Sequence, residues 1–216
     1  MYVVKHFDMR NRNFKNLILM SIVILSYSCV GGKYTYEFDT GKNLDFSSGK
    51  WILNDVRSNS KIENNKRLYE EIHEEFNKIL GDSLIDLTSL RNVVLVAPEI
   101  KFEATQSELK ELYENSNCDF LINVRGQIIS NNASSFYTNN QSSSFNTSNR
   151  SSVSIKIYDL KSGTMISSSN ANAIDTERHS DFEKDGALNW TTRAEPMMIR
   201  AAEGLIIKYS KYRLDK

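Results

Sequence analysis

Residues 118–128, Cys-Asp-Phe-Leu-Ile-Asn-Val-Arg-Gly-Gln-Ile, and residues 153–163, Val-Ser-Ile-Lys-Ile-Tyr-Asp-Leu-Lys-Ser-Gly, decide the fold. In the first stretch Phe120, Ile122, Val124 and Ile128 recur at even spacing; in the second Val153, Ile155 and Ile157 do the same. A period of two is that of a strand with one buried face. Asp159 to Gly163 supplies turn residues, and Thr164 to Ala173 reads as the return strand. The segment between the stretches, residues 131–152, is nearly all Ser, Asn, Gln and Thr. It is too polar to bury itself and is expected as a polar hairpin insert.

Working outward, Thr105-Gln106-Ser107-Glu108 is a capping box, in which hydroxyl and carboxylate satisfy each other's backbone amides. Leu109, Leu112 and Tyr113 then form the buried edge of the helix it opens. Upstream, Val93-Val94-Leu95-Val96 is a continuous apolar run, which predicts a strand buried on both faces. A helix is predicted from about Asn65 to Leu80. Leu68, Ile72, Phe76 and Ile79 give its apolar stripe, Glu70, Glu71, Glu74 and Glu75 its outer face, and Gly81 its C-cap. Trp51–Val56 and the alternating Tyr34, Tyr36 and Phe38 read as strands. A last helix places Pro196 in its first turn and buries Met198, Ala201, Ala202, Leu205 and Tyr209. The order β-β-α-β-α-β-β-β-α predicts an α/β (α+β) fold, a mixed sheet with helices packed on it.

The amino terminus reads differently. Residues 1–16 carry Lys5, Arg10, Arg12 and Lys15 against Asp8, and the apolar run Leu17–Leu25 is broken only by Ser21. A basic region followed by an apolar one of about nine residues is a secretory signal, well short of the roughly 20 residues that span a bilayer. The stretch from Met9 is a complete signal by itself, so Met1 and Met9 both stand as starts. Leu25-Ser26-Tyr27-Ser28-Cys29 resembles a bacterial lipobox, which implies that residues 1–28 are removed and Cys29 is acylated with chains such as palmitate. Two or more buried acyl chains hold a protein stably on a membrane. Residues 29–33 would then be the lipidated cysteine and a short tether, and residues 34–216 one domain. Without the signal, Lys plus Arg falls from 27 to 23 and Asp plus Glu from 27 to 26, leaving a net charge of about −3. That argues against nucleic acid as a partner, which selects a clustered basic surface. Cys118, with no other thiol left to pair with, is expected to pack as a small apolar group.

Catalytic motifs are missing one by one. His73-Glu74-Glu75-Phe76-Asn77 has asparagine where a helical zinc motif needs its second histidine, and His179 has no ligand at metal spacing. Ser48-Gly49-Lys50-Trp51 lacks both the upstream glycine, Leu44 standing there, and the hydroxyl residue of a phosphate loop. No Gly-x-Ser-x-Gly elbow occurs. Pairs such as Asp181 and Glu183 are read as ionised surface acids. His73 is assigned to a solvated helix face. No catalytic, metal or cofactor residue is expected.

Cys118-Asp119-Phe120-Leu121-Ile122-Asn123-Val124 and the turn Tyr158-Asp159-Leu160-Lys161-Ser162-Gly163 resemble a strand entry and a hairpin turn of a group of bacterial envelope lipoproteins. The likeness spans about residues 50–212. The group holds the curli-secretion lipoproteins, the activator lipoproteins of penicillin-binding proteins and the amino-terminal domain of the Tol-system translocation protein. It implies a non-catalytic adaptor or assembly factor in the cell envelope, on the outer membrane facing the periplasm, with an envelope protein as partner and the membrane reached through Cys29. The rival expectation is a lipid-anchored hydrolase whose active site is assembled from distant residues. A deep carboxylate-lined pocket would favour the enzyme, and a shallow surface the adaptor.

Overall fold

The computed structural model describes residues 32–131, 146–178 and 192–215. Its elements are β1 (Lys33–Thr40), β2 (Trp51–Leu53), β3 (Arg57–Ser58), α1 (Ile62–Leu80), β4 (Leu84–Asp86), α2 (Leu87–Arg91), α3 (Gln106–Ser116), β5 (Phe120–Ser130), β6 (Asn146–Asp159), β7 (Thr164–Arg178) and α4 (Ala194–Tyr212). The strands form one mixed seven-stranded sheet in the order β1-β7-β6-β5-β2-β4, with β3 also paired to β5. This is the α/β (α+β) class the hydrophobic pattern predicts.

The even spacing of the deciding stretches becomes a row of facing side chains. Phe38 lies opposite Ser169, Ser169 opposite Ile155, and Ile155 opposite Val124. Above this face α1 contributes Leu68, Ile72 and Phe76, and α4 contributes Met197, Met198, Ala201, Ala202, Leu205 and Tyr209, all buried. The opposite face is covered only at the β5-β2-β4 end. There Ile52, Leu121, Tyr158 and Leu160 meet Leu87 and Leu90 of α2, Leu109 and Leu112 of α3, and Cys118, which packs as the small apolar group expected. Toward β1 this face carries Thr35, Glu37, Asn170 and Asn172, all at least partly open to solvent. The protein is thus three layers thick at one end and two at the other.

The central parallel strand is not the one expected. Trp51, Ile52 and Leu53 are each 0% exposed, because β2 lies between β4 and β5 with layers on both sides. The position next to β2 is taken by Leu84–Asp86, and the predicted strand at Val93–Val96 is a loop, with Val93 82% and Leu95 88% exposed. The α2 turn explains the exchange. Val93 and Val94 donate their amides to Leu90 O at 3.0 Å, which carries the chain off the sheet rim. Val94 and Val96 still pack on the α2–α3 cluster. A four-residue apolar run has no periodicity that separates a strand from a loop clipped to the core on alternate residues.

Two boundaries also shift. The predicted strand Trp51–Val56 breaks after Leu53 and resumes as β3, three intervening residues on this side facing two on β5. The polar segment 131–152 is only partly an insert: residues 146–152 belong to β6, all paired to β7 and residues 150–152 also to β5. Asn149 and Ser151 are buried there, and Asn149 Nδ2 donates to Thr192 O at 3.0 Å just before α4. Serine and asparagine on a strand give no sign of burial, so the pattern of two is silent where small polar residues sit beneath a helix end. Residues 132–145 lie outside the described residues.

Among the described residues no helix is long and apolar enough to cross a membrane.

Candidate functional site

Cys29, the expected lipidation site, lies outside the described residues, as do His179, Asp181 and Glu183. The turn at Gly49 has φ +85 and closes onto β5: Lys50 N donates to Asp119 Oδ2 at 2.8 Å, and a Cβ on Gly49 would lie 2.7 Å from the Phe120 ring. It is a structural turn with no room for a phosphate.

His73 is more engaged than a solvated helix face implies. It sits one turn after Tyr69 on α1, their rings stacked at 6.1 Å, and its Nε2 lies 3.3 Å from Asp86 Oδ1 at the end of β4. Tyr69 donates its hydroxyl to the same carboxylate oxygen. Burial, and then that hydrogen bond, pushes the Tyr69 phenol above its ordinary value. Beside them Arg91 Nη1 donates to Asp55 Oδ2 at 2.9 Å, and Arg91 Nη2 to Pro98 O at 2.8 Å.

This cluster occupies the carboxyl ends of parallel strands β2 and β4, where open α/β sheets commonly bind ligands. Here its groups tie elements together. Asn54 Nδ2 donates to Ile100 O at 3.0 Å, Asn123 Nδ2 to Lys101 O at 3.0 Å, and Tyr158 Oη to Phe102 O at 3.0 Å. Together with Arg91 they pin the loop of residues 97–102 across the strand ends.

On the opposite helical layer Glu71, Glu75 and Glu203 bring carboxylate oxygens within 4.8 Å of one another. Glu75 is buried, contrary to its expected place on an outer face, and Lys78 neutralises it directly while lying 3.2 Å from Glu74. Burial and the neighbouring Glu203, Glu74 and Glu75 hold the Glu71 carboxyl above its usual range. The local charge is already partly answered, and the trio reads as a helix–helix contact.

The arrangement best suited to holding a ligand lies between β1 and the last turns of α4. A cleft of about 330 Å³ is lined by Tyr36, Phe38, Lys42, Lys208 and Tyr212. Strand alternation puts Tyr36 and Phe38 on the face that meets α4, and helical spacing puts Lys208 and Tyr212 one turn apart. Gly41, at φ +62, turns Lys42 back toward them; a Cβ there would lie 1.9 Å from Ile166 O. Lys42 Nζ stands 3.8 Å from the centre of the Tyr212 ring and Lys208 Nζ 5.3 Å from that of Tyr36. Phe38 meets Tyr212 edge-on at 6.2 Å and Tyr209 at 5.0 Å.

Tyr36 reaches this position because residue 204 has no side chain. A Cβ on Gly204 would lie 2.0 Å from the Tyr36 hydroxyl, so the phenol rests directly on the α4 backbone. Burial, then Tyr34 and Glu203, raises the Tyr36 phenol above its ordinary value. Among the described residues no carboxylate, histidine, serine or cysteine lines the cleft. Its chemistry is flat apolar walls and ammonium groups, a binding surface in which aromatic faces and cations share one space. Sequence reading noted Tyr36 and Phe38 only as strand residues and passed over Lys208 and Tyr212. The alternation that ends in Gly41-Lys42, set against a lysine and an aromatic one turn apart at the helix end, was the available signal.

No protein-family model and no curated protein matches the chain. Among solved structures, the chain is similar to the PelC dodecamer subunit from Paraburkholderia phytofirmans, at 8% identity and TM-score 0.45, over 82% of this chain and 97% of that one. It is similar to lipoprotein GNA1162 from Neisseria meningitidis, at 12% identity and TM-score 0.39, over 73% and 98%. The hypothetical protein CT253 from Chlamydia trachomatis is similar at 13% identity and TM-score 0.38, over 76% and 98%. Bacterial lipoproteins are thus among the similar structures. With every TM-score below 0.5 these likenesses carry no argument about function, and they do not reach the narrower curli-secretion and Tol group.

Proposed function

We propose that this protein is a lipid-anchored lipoprotein of the bacterial envelope that works by binding and not by turnover. The observation that carries this reading is the make-up of the cleft: tyrosine, phenylalanine and lysine on an open wall, with none, among the described residues, of the carboxylate, histidine, serine or cysteine groups that hydrolytic chemistry uses most. The anchor is Cys29, acylated after removal of residues 1–28, on the outer membrane facing the periplasm. Confinement to a membrane raises the effective concentration of a partner held at the same surface, so a shallow site of modest affinity suffices. The partner is another component of the envelope, and the protein acts as an adaptor or assembly factor.

The experiment is turnover by the purified full-length lipoprotein against panels of glycan, peptide and ester substrates, with mass spectrometry of Cys29. An acylated Cys29 and no turnover are the expected results. An unmodified Cys29 in the mature protein removes the anchor. Turnover abolished by one exposed polar substitution at unchanged stability replaces the adaptor with an enzyme.

A further inference from the structure

We infer that the β1–α4 cleft binds a small ring-shaped anion, a sugar acid or sugar phosphate, with the oxyanion between Lys42 and Lys208 and the ring against Tyr36 and Tyr212. This rests on the binding reading above and names the ligand class of the same site.

Three features of the cleft converge. Lys42 and Lys208 face π surfaces, and neither has a carboxylate within ion-pair distance among the described residues. A ring face attracts an ammonium but leaves most of its three N–H donors unused. Two such donors lining one cleft favour an oxyanion, and they do so in a chain whose expected mature charge is about −3. The second feature is size. A cleft of about 330 Å³ lies at the small end of the range for ligand sites, which suits one sugar ring better than an extended chain. The third is the rigidity of the aromatic wall. Tyr36 is seated on the bare backbone of Gly204, and Tyr212 is braced edge-on by Phe38. A wall already in place loses little freedom when a flat C–H face stacks on it. Phenolic hydroxyls at its rim are donors and acceptors for ring hydroxyls.

A neutral sugar would leave the ammonium groups unanswered, and inorganic phosphate would offer the rings no C–H face. Only a ligand with both parts uses the whole site. Exposed Ile207 and Leu214 stand near in sequence to Lys208 and Tyr212, so an anionic lipid headgroup is the alternative source of the same charge.

The test is calorimetric titration of the full-length lipoprotein in neutral detergent with glucuronate, glucose 6-phosphate, glucose, inorganic phosphate and dihexanoyl phosphatidylglycerol. Glucuronate and glucose 6-phosphate are expected to bind about tenfold or more tighter than glucose or phosphate alone, and to weaken as salt is added. Lys42→Gln and Lys208→Gln should each weaken them about fivefold or more at unchanged circular dichroism. Gly204→Ala, which alters no charge, should weaken them by displacing Tyr36; Tyr36→Leu reports on the wall should the glycine variant fail to fold. Equal affinity for glucose and glucuronate, or no binding of either anion, overturns the inference while leaving the non-catalytic reading intact. Binding of the soluble lipid without the sugar anions overturns it in favour of a headgroup site. Chemical conversion of a bound sugar would overturn the non-catalytic reading itself.

Discussion

Tyr209 carries a hydroxyl into the most apolar part of the molecule, and its removal measures how much of the fold rests on buried polar pairing. The ring is fully buried on the inner face of α4, edge-on to Phe38 at 5.0 Å and to Phe46 at 6.2 Å. Its hydroxyl lies 2.7 Å from Ser167 Oγ and 2.8 Å from Ser169 Oγ on β7. Tyr209→Phe keeps every ring contact and deletes only the oxygen. Ser167 retains Gly41 O at 2.9 Å, but Ser169 is left with Ile155 O at 3.5 Å, at the limit of a hydrogen bond. One buried hydroxyl thus loses its good partner, at a cost of about 1–3 kcal/mol. For a domain of this size that is roughly 2–12 °C in Tm, taking about 2–4 °C per kcal/mol. Urea unfolding followed by far-ultraviolet circular dichroism would read it. A double-mutant cycle with Ser169→Ala sharpens the test, because removing both hydroxyls leaves nothing unpaired between them. The double variant should recover part of the loss, with a coupling of about 0.5–3 kcal/mol. A Tyr209→Phe change within about 0.3 kcal/mol of wild type, or strict additivity in the cycle, refutes the reasoning.

Ile122→Ala and Ile155→Ala, both on the buried face of central strands, should each cost about 2–5 kcal/mol in the same unfolding assay. Replacing residues 131–152 with a two-residue turn should lower Tm by many degrees and not leave it unchanged, because Asn149 and Ser151 are buried and Asn131 Oδ1 accepts from Ala194 N at 3.2 Å. Burial raises the phenols of Tyr69, Tyr158 (pushed up to about 12) and Tyr209, so the folded protein keeps protons that the unfolded chain releases near pH 10. The phenols' contribution to stability should therefore be fully present below about pH 9 and be lost as pH rises through 10 to 12, less steeply in Tyr209→Phe; a flat alkaline limb would contradict this. His73→Ala should cost under about 1 kcal/mol, since the ring is partly exposed and Asp86 keeps its bond from Tyr69.

Local pattern by itself determined the parts whose physics is local. The alternation at Phe120, Ile122 and Val124 and at Val153, Ile155 and Ile157 names the strand faces, because a strand presents every second residue to one side. The Thr105–Glu108 box forms as predicted, Thr105 N donating to Glu108 Oε2 at 2.7 Å, because both partners lie within one turn. Gly81 caps α1 at φ +54, a backbone state that glycine reaches without strain. All five residues predicted for the inner stripe of α4, from Met198 to Tyr209, are buried, and Ile206 joins them. The tertiary structure decided whatever depends on which distant segment arrives beside which. Leu84–Asp86 displaced Val93–Val96 from the sheet, since the run that pairs is chosen by how α2 turns beneath it and not by its own hydrophobicity. Ser151, Ser167 and Ser169 are buried because α4 covers them, and a small hydroxyl residue tells nothing of its burial until its partner is known. The cleft is the extreme case: Tyr36 and Lys42 belong to the first strand and its turn, Lys208 and Tyr212 to the last helix. Each is an ordinary surface residue in its own segment, and the space they enclose exists only because Gly204 lets a strand aromatic lie against the helix backbone.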